Sequence, residues 1–131
     1  MKTLTQHLIE YLAIGGAGFL GAIARYFVAT LSGRFFGTRF PIGTMIINIS
    51  GSFILGWFMT RVQERVVVSD AVRLAVAVGF VGAYTTFSTL MYESSALFED
   101  GSGNKAVFNL LGSLVLGLLA VRAGVVLGRR F

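Results

Sequence analysis

The sequence predicts an all-α membrane protein: four transmembrane helices, with a break in the third. Three observations lead there. Hydrophobic residues make up 55% of the 131 positions and charged ones only 13%, roughly half the ~25% charge of a soluble domain. Seventeen glycines stand against one proline, and they lie inside apolar runs, which fits packed intramembrane helices and neither collagen nor a disordered tail. Uncharged stretches of membrane-crossing length recur between the charges. The length suits one compact unit and is too short for two.

The elements follow in order. Between charged residues run 14 residues from Tyr11 to Ala24, 21 from Phe40 to Thr60, 19 from Leu74 to Tyr92 and 16 from Ala106 to Val121. A helix crosses the hydrocarbon core in about 20 residues, with about 17 as a minimum, so the second and third qualify as they stand. The first becomes a full span if it continues past Arg25 to about Leu31. The fourth does so past Arg122 to about Gly128, with Arg122 close enough to the end to snorkel. The spans are therefore 8–31, 42–62, 71–97 and 105–128 within a single four-helix domain, 1–131. Turn-forming residues join them: Gly33, Gly37 and Pro41, then a short turn from Val66 to Asp70, then Asp100-Gly101-Ser102-Gly103. The charged opening through Glu10 leads into apolar sequence with no polar domain after it, so no cleavable signal peptide is expected.

Four spans put both termini on one side. Lys2, Arg61, Arg65, Arg73, Arg129 and Arg130 share that side, against Arg34, Arg39 and Lys105 on the other. The bias weakly favours cytoplasmic termini and leaves insertion in both orientations open. The net charge of +5 is scattered at the ends of apolar runs, which suits anchoring at lipid headgroups and not binding of nucleic acid. With no cysteine and His7 as the one histidine, disulfide scaffolds, thiolate or multi-histidine metal sites and Cys- or His-based catalysis are excluded. No paired carboxylates or nucleophile-base set appears, so an enzyme is not expected.

Helices in lipid associate through small residues and interhelical hydrogen bonds. The first span offers Ala13, Ala17 and Gly21 at fourfold spacing, and Arg25 continues that face. An intramembrane arginine is either a functional group or a structural one bonded to loop carbonyls. The second span aligns Thr44, Asn48 and Ser52. Asn48 could donate to an anion or clamp two helices together. The fourth aligns Asn109, Ser113 and Gly117, followed by Ala120, Gly124 and Gly128; Ser113 alone reads equally as a packing residue. The third carries Gly79, Gly82 and then Thr85-Thr86-Phe87-Ser88-Thr89. Glycines weaken a helix and hydroxyls compete for its carbonyls, so it either breaks near Gly82 to Thr86 or stays intact with its hydroxyls bonded backward. A break would free carbonyls for a cation and amides for an anion. All six acidic residues lie at or near span ends, Glu93 within a turn of the interior. A cation pore or proton-coupled pump wants a carboxylate at mid-membrane. An anion route wants donors: amides, hydroxyls and ring edges.

These residues resemble the Fluc (CrcB) fluoride channels over nearly the whole chain. The resemblance rests on Gly15-Gly16-Ala17-Gly18 through Gly21-Ala22 to Arg25-Tyr26, on Gly43-Thr44 through Asn48 to Gly51-Ser52, on Gly79 through Gly82 to Thr85-Thr86-Phe87-Ser88-Thr89, and on Gly112-Ser113. It implies an antiparallel, dual-topology homodimer in the cell (inner) membrane, with two pores along the subunit interface that pass fluoride passively out of the cytoplasm. It also implies a structural Na+ at the dimer centre, held by main-chain oxygens of Gly82 and Thr85. Asn48 and Phe87 match pore-lining positions, Thr44 and Ser113 match the polar track, and Arg25 is a structural or vestibule candidate. One position departs: Leu90 stands where the family usually has a second phenylalanine, which bears on conduction rate and not on the fold or the sodium site.

Two other classes compete. A small multidrug transporter is also a four-helix dimer, but it wants a carboxylate midway along the first span, where this chain has Arg25. A non-transporting membrane assembly subunit would use the same glycine seams and carry no ion flux.

Overall fold

The structure, a computed structural model, describes residues 2–130. Four apolar helical spans account for nearly all of it: Leu4–Phe36, Ile42–Glu64, Asp70–Glu99 and Gly103–Arg130. The outward faces carry large apolar side chains while only a few are buried. That is the reverse of a soluble fold, and the chain is a multi-pass membrane protein.

Helix α1 (Leu4–Phe36) begins at Thr3, whose side chain accepts from Gln6 N while the Gln6 side chain accepts from Thr3 N, a reciprocal cap. It ends at Gly37, whose φ of 75° closes the helix through Gly37 N to Gly33 O at 3.0 Å. Helix α2 (Ile42–Glu64) starts after Pro41, where the missing amide costs nothing. The third span is composite. Ser69 caps α3 (Asp70–Leu74), a π-helical stretch follows over Ala75–Val81, and α4 (Gly82–Tyr84) ends at Thr85. After two extended residues, α5 (Phe87–Glu99) resumes the span. Gly101, with φ of 72°, turns the chain into α6 (Gly103–Arg130). The helices overrun the hydropathy spans by up to five residues at an end, because capped polar turns continue them beyond the apolar runs.

Two seams hold the spans together. In the first, α1 lies on the π-helical stretch: a Cβ at Gly79 would sit 2.6 Å from Ile14 O, and one at Gly21 would collide with the Phe80 carbonyl. Backbone meets backbone there, which only glycine permits. In the second, α2 and α6 run side by side in the same direction. Gly117 faces Ser52, Gly124 faces Phe53 and Trp57, and Gly128 faces Trp57 and Thr60. The small-residue stripe of the fourth span is thus buried as expected at Gly117, Gly124 and Gly128, and Ala120 is half-buried.

Charged side chains tie the ends. Lys2 bonds Glu10 of α1 and, at 2.9 Å, Asp70 at the start of α3. The hydrogen bonds that Lys2 donates, to Glu10 first and to Asp70 second, hold its ammonium above its ordinary pKa. At the same end Arg129 Nε reaches Glu64 at 3.1 Å, and Arg65 Nη2 donates to Arg129 O at 2.8 Å.

Candidate functional site

The interruption of the third span lies at Thr85 (φ −79°, ψ 157°) and Thr86 (φ −150°, ψ 113°), both extended. Two amides that would close a continuous helix are diverted there. Thr86 N, due to bond Gly82 O, donates instead to Asn48 Oδ1 at 2.8 Å. Thr89 N, due to bond Thr85 O, donates to Thr86 Oγ1 at 3.3 Å, which makes Thr86 the N-cap of α5. The carbonyls of Gly82 and Thr85 thereby lose their helical donors. The first amides of α5, at Phe87 and Ser88, belong to the turn that has no intrahelical partner and carries the positive end of the helix dipole.

Asn48 holds the break from α2. Its Oδ1 accepts from Thr86 N, and its Nδ2 donates to Thr86 O at 3.0 Å, so one amide side chain replaces a strand partner for Thr86. The clamp reading of Asn48 is therefore realised. The donor reading survives beside it, since the second Nδ2 hydrogen is not used in that pair. Gly51 lies beneath the break, where a Cβ would run into the Thr85 side chain. Thr85 Oγ1 bonds back to Val81 O at 2.9 Å, and Ser50 Oγ shares a 2.9 Å hydrogen bond with Tyr84 OH. Both ends of the break are thus tied, as backbone outside a helix must be at membrane depth.

A groove of about 650 Å³ runs from this break between α2 and α6. Asn48, Ser52, Thr85, Thr86, Phe87 and Ser113 supply its polar and aromatic positions among aliphatic walls, and no carboxylate lines it. Phe87, at the first position of α5, is 74% exposed. Ser113 is 6% exposed, and its Oγ has no hydrogen-bond partner in the described structure. Leu90, one turn beyond Phe87, is 8% exposed and forms part of the wall. Ser52, Thr85 and Thr86 spend their hydroxyl protons on Asn48 O, Val81 O and Thr89 Oγ1, so the site offers an amide N–H, the Ser113 hydroxyl, the positive rim of an aromatic ring and a helix N-terminus, all of which favour an anion.

Not every candidate gathers in this groove. Thr44 opens into a second cavity of about 490 Å³ near the opposite end of α2, lined also by Arg39, Tyr92 and Glu93. Its Oγ1 donates to Glu93 Oε1 at 2.8 Å, while Glu93 Oε2 is buried and unpartnered. Arg25 is half-buried and lines neither space; no hydrogen bond or ion pair joins it to another described residue. Gly82 does not line the groove; it is exposed, and a Cβ there would meet nothing nearer than Ala77 O at 3.8 Å. Two polar ties went unread in the sequence. Glu93 and Thr44 are 49 residues apart, and Asn109, fully buried, donates to Ser94 Oγ at 3.0 Å across α5 and α6. The signal for the second was present, since Asn109 and Ser94 each fall on an inward helical face.

Comparison with known proteins agrees with this architecture. Residues 12–125 match the family model described as CrcB-like protein, Camphor Resistance (CrcB). A protein of Koribacter versatilis named fluoride-specific ion channel FluC is 46% identical over 112 residues, covering 86% of this chain and 89% of that one. A Sulfurihydrogenibium protein of the same name is 43% identical over 92% of this chain and 97% of its own length. A third, from Methylococcus capsulatus, reaches 49% identity over 91% of this chain, which spans about half (51%) of that longer relative.

Proposed function

Because this chain belongs to the CrcB family, we propose that it is a fluoride-specific channel that lets the anion leave the cytoplasm passively. The observation that carries the reading is the groove at the broken third span, which collects donors and a ring rim and holds no carboxylate. Fluoride enters cells as neutral HF from an acidic exterior and is trapped inside as the anion. Where the membrane potential is negative within, a passive route suffices and no proton-coupling residue is required.

In this reading the groove is one wall of a pore, and a second, antiparallel copy supplies the other wall. A single groove open along one side cannot desolvate a small, tightly hydrated anion; an opposing wall can. Asn48 and Ser113 replace hydration water with hydrogen bonds, Phe87 presents its ring edge, and Thr44 continues the polar path toward the second cavity. Leu90 in place of a second ring makes the lining more aliphatic and is expected to affect rate.

The Gly82 and Thr85 carbonyls are of the kind that unwound transmembrane helices use for Na+. Their helical donors are diverted to Asn48 and to Thr86, and two copies would double the set. A bound Na+ would neutralise the facing carbonyl dipoles and lock the two breaks together. Among the described residues no group of three acidic, His or Cys side chains offers an alternative.

The test is electrical fluoride efflux from proteoliposomes, with chloride as control and cross-linking to report the dimer. Asn48→Ala and Phe87→Ala should each cut fluoride flux by at least about tenfold, a change of about 1.4 kcal/mol in barrier, while the dimer persists. Flux at the parent level in both variants would overturn this route.

A further inference from the structure

We propose that the outward face of α6 near its C-terminus, completed by Arg65 of α2, binds the phosphate of an anionic phospholipid. The inference starts from Arg122. It follows an uncharged run from Ala106 to Val121, is exposed, and makes no hydrogen bond or ion pair among the described residues. The seam of Gly117, Gly124 and Gly128 occupies the opposite side of the helix, against α2. Around Arg122 the exposed residues are Leu119 and Val126 on the outer side and Leu118 at the edge of the groove, so its guanidinium leaves the helix beside an apolar face turned away from the α2 seam. An unpaired charge in that setting is costly unless it reaches the headgroup layer or draws an anion to itself.

Arg129 lies seven residues on, which on an α-helix is the same face within about 20° and about 10 Å nearer the end. It is not alone there. Arg65 Nη2 is fastened to Arg129 O at 2.8 Å, so a guanidinium from α2 is fixed over the last turn of α6. Glu64 holds only Arg129 Nε, at 3.1 Å. This end of α6 thus carries three guanidinium groups and one carboxylate, which pairs with Arg129 alone, with Arg122 at the inner end of the stripe and Arg129 and Arg65 at the rim. A guanidinium binds phosphate in bidentate fashion, which makes the phosphodiester the fitting anion. The surplus positive charge repels the ammonium of a zwitterionic headgroup, so the complementary lipid is net anionic. The apolar residues flanking Arg122 accommodate its acyl chains. None of the three arginines lines the groove at the broken span, and of the residues flanking Arg122 only Leu118 does, so the inference does not rest on the channel reading.

The experiment uses full-length protein in a non-ionic detergent, titrated with phosphatidylglycerol or phosphatidylcholine, and reads lipids retained per protein by native mass spectrometry. Phosphatidylglycerol should be held more tightly, and less so as salt rises. Arg122→Gln should weaken that retention about fivefold, Arg129→Gln by a similar factor, and Arg122→Lys by less, because charge remains while the bidentate fork is lost. Lys105→Gln, at the other end of α6, should change nothing. Equal retention of the two lipids, parent-level retention in Arg122→Gln, or displacement of phosphatidylglycerol by an equal concentration of inorganic phosphate would each overturn the proposal. Arg122 is exposed and makes no hydrogen bond or ion pair to a described residue, so its variants should fold; Arg122→Lys supplies the comparison should Arg122→Gln fail to.

Discussion

The two halves of the third span are held in place by different physics. From Leu74 to Ala83 the chain carries no polar side chain at all. It is fixed by backbone contact, with Gly79 against Ile14 and Phe80 over Gly21, and it adopts a π-helical course while doing so. The second half, α5, is an ordinary α-helix tied by side-chain hydrogen bonds from two other helices. Asn48 grips its N-cap at Thr86, Thr44 reaches Glu93, and Asn109 reaches Ser94. In a bilayer no hydrophobic force drives helices together, so association must use either close van der Waals fit or polar ties. This span uses one on each side of its break. Close fit suits a scaffold that must not shift, and polar ties suit a half-helix whose end presents Phe87 and free amides to a groove.

The comparison can be broken most severely on the scaffold side. Gly79→Val should prevent assembly of a folded protein, because its Cβ alone would sit 2.6 Å from Ile14 O and 3.0 Å from Ala17 Cβ, and neither a backbone carbonyl nor an alanine methyl can swing aside. Overpacking of this kind costs about 1–3 kcal/mol or more. Size-exclusion profiles and thermal unfolding in detergent would register it; a monodisperse variant with parent stability would show that α1 does not depend on this contact.

The next largest effect separates clamp from donor at Asn48. Asn48→Asp keeps an acceptor for Thr86 N but removes the Nδ2 donor and adds a negative charge. Stability should fall by about 1–3 kcal/mol in both variants, since Asn48→Ala strands Thr86 N and Asn48→Asp sets a carboxylate oxygen against Thr86 O. Fluoride flux should fall by about 100-fold or more in Asn48→Asp, since a carboxylate repels the anion. Equal flux losses in the two variants would reduce Asn48 to a clamp.

A smaller effect is expected at Asn109. Asn109→Leu removes the tie to Ser94 together with an unpartnered buried Oδ1. Intramembrane hydrogen bonds are worth about 0.6 kcal/mol on average, so the melting temperature should drop slightly, and flux should stay within about twofold. A large loss of flux would mean that α5 needs this second anchor to aim Phe87.

The smallest effect belongs to Lys2, whose ammonium joins α1 to the start of the third span. Its pKa is raised by hydrogen bonds to Glu10 and Asp70 above the ordinary 10.5. Its contribution is therefore complete below that ordinary value and is lost as pH climbs through the raised one. Lys2→Met should lower the melting temperature slightly and equally at pH 7 and 9, with the difference disappearing only at more alkaline pH.

The number of apolar spans and several of the small residues in their seams, Gly21, Gly117, Gly124 and Gly128, were legible in the sequence. Lipid forces every backbone group into a helix and every helix contact onto small or polar side chains, so the linear pattern of apolar runs, glycines and fourfold-spaced polar residues carries that information directly. The weakness of the third span was legible as well, from Gly79, Gly82 and the run of hydroxyls that follows. What the chain could not announce by itself is where that weakness resolves. The helix gives way at Thr85 and Thr86 because Asn48, 38 residues earlier, takes over both backbone groups of Thr86. The pairing of Thr44 with Glu93 and the π-helical register before the break likewise exist only once α1, α2 and the third span lie side by side. Such choices are made between groups far apart along the chain, each with more than one acceptable partner, and only packing in three dimensions selects among them.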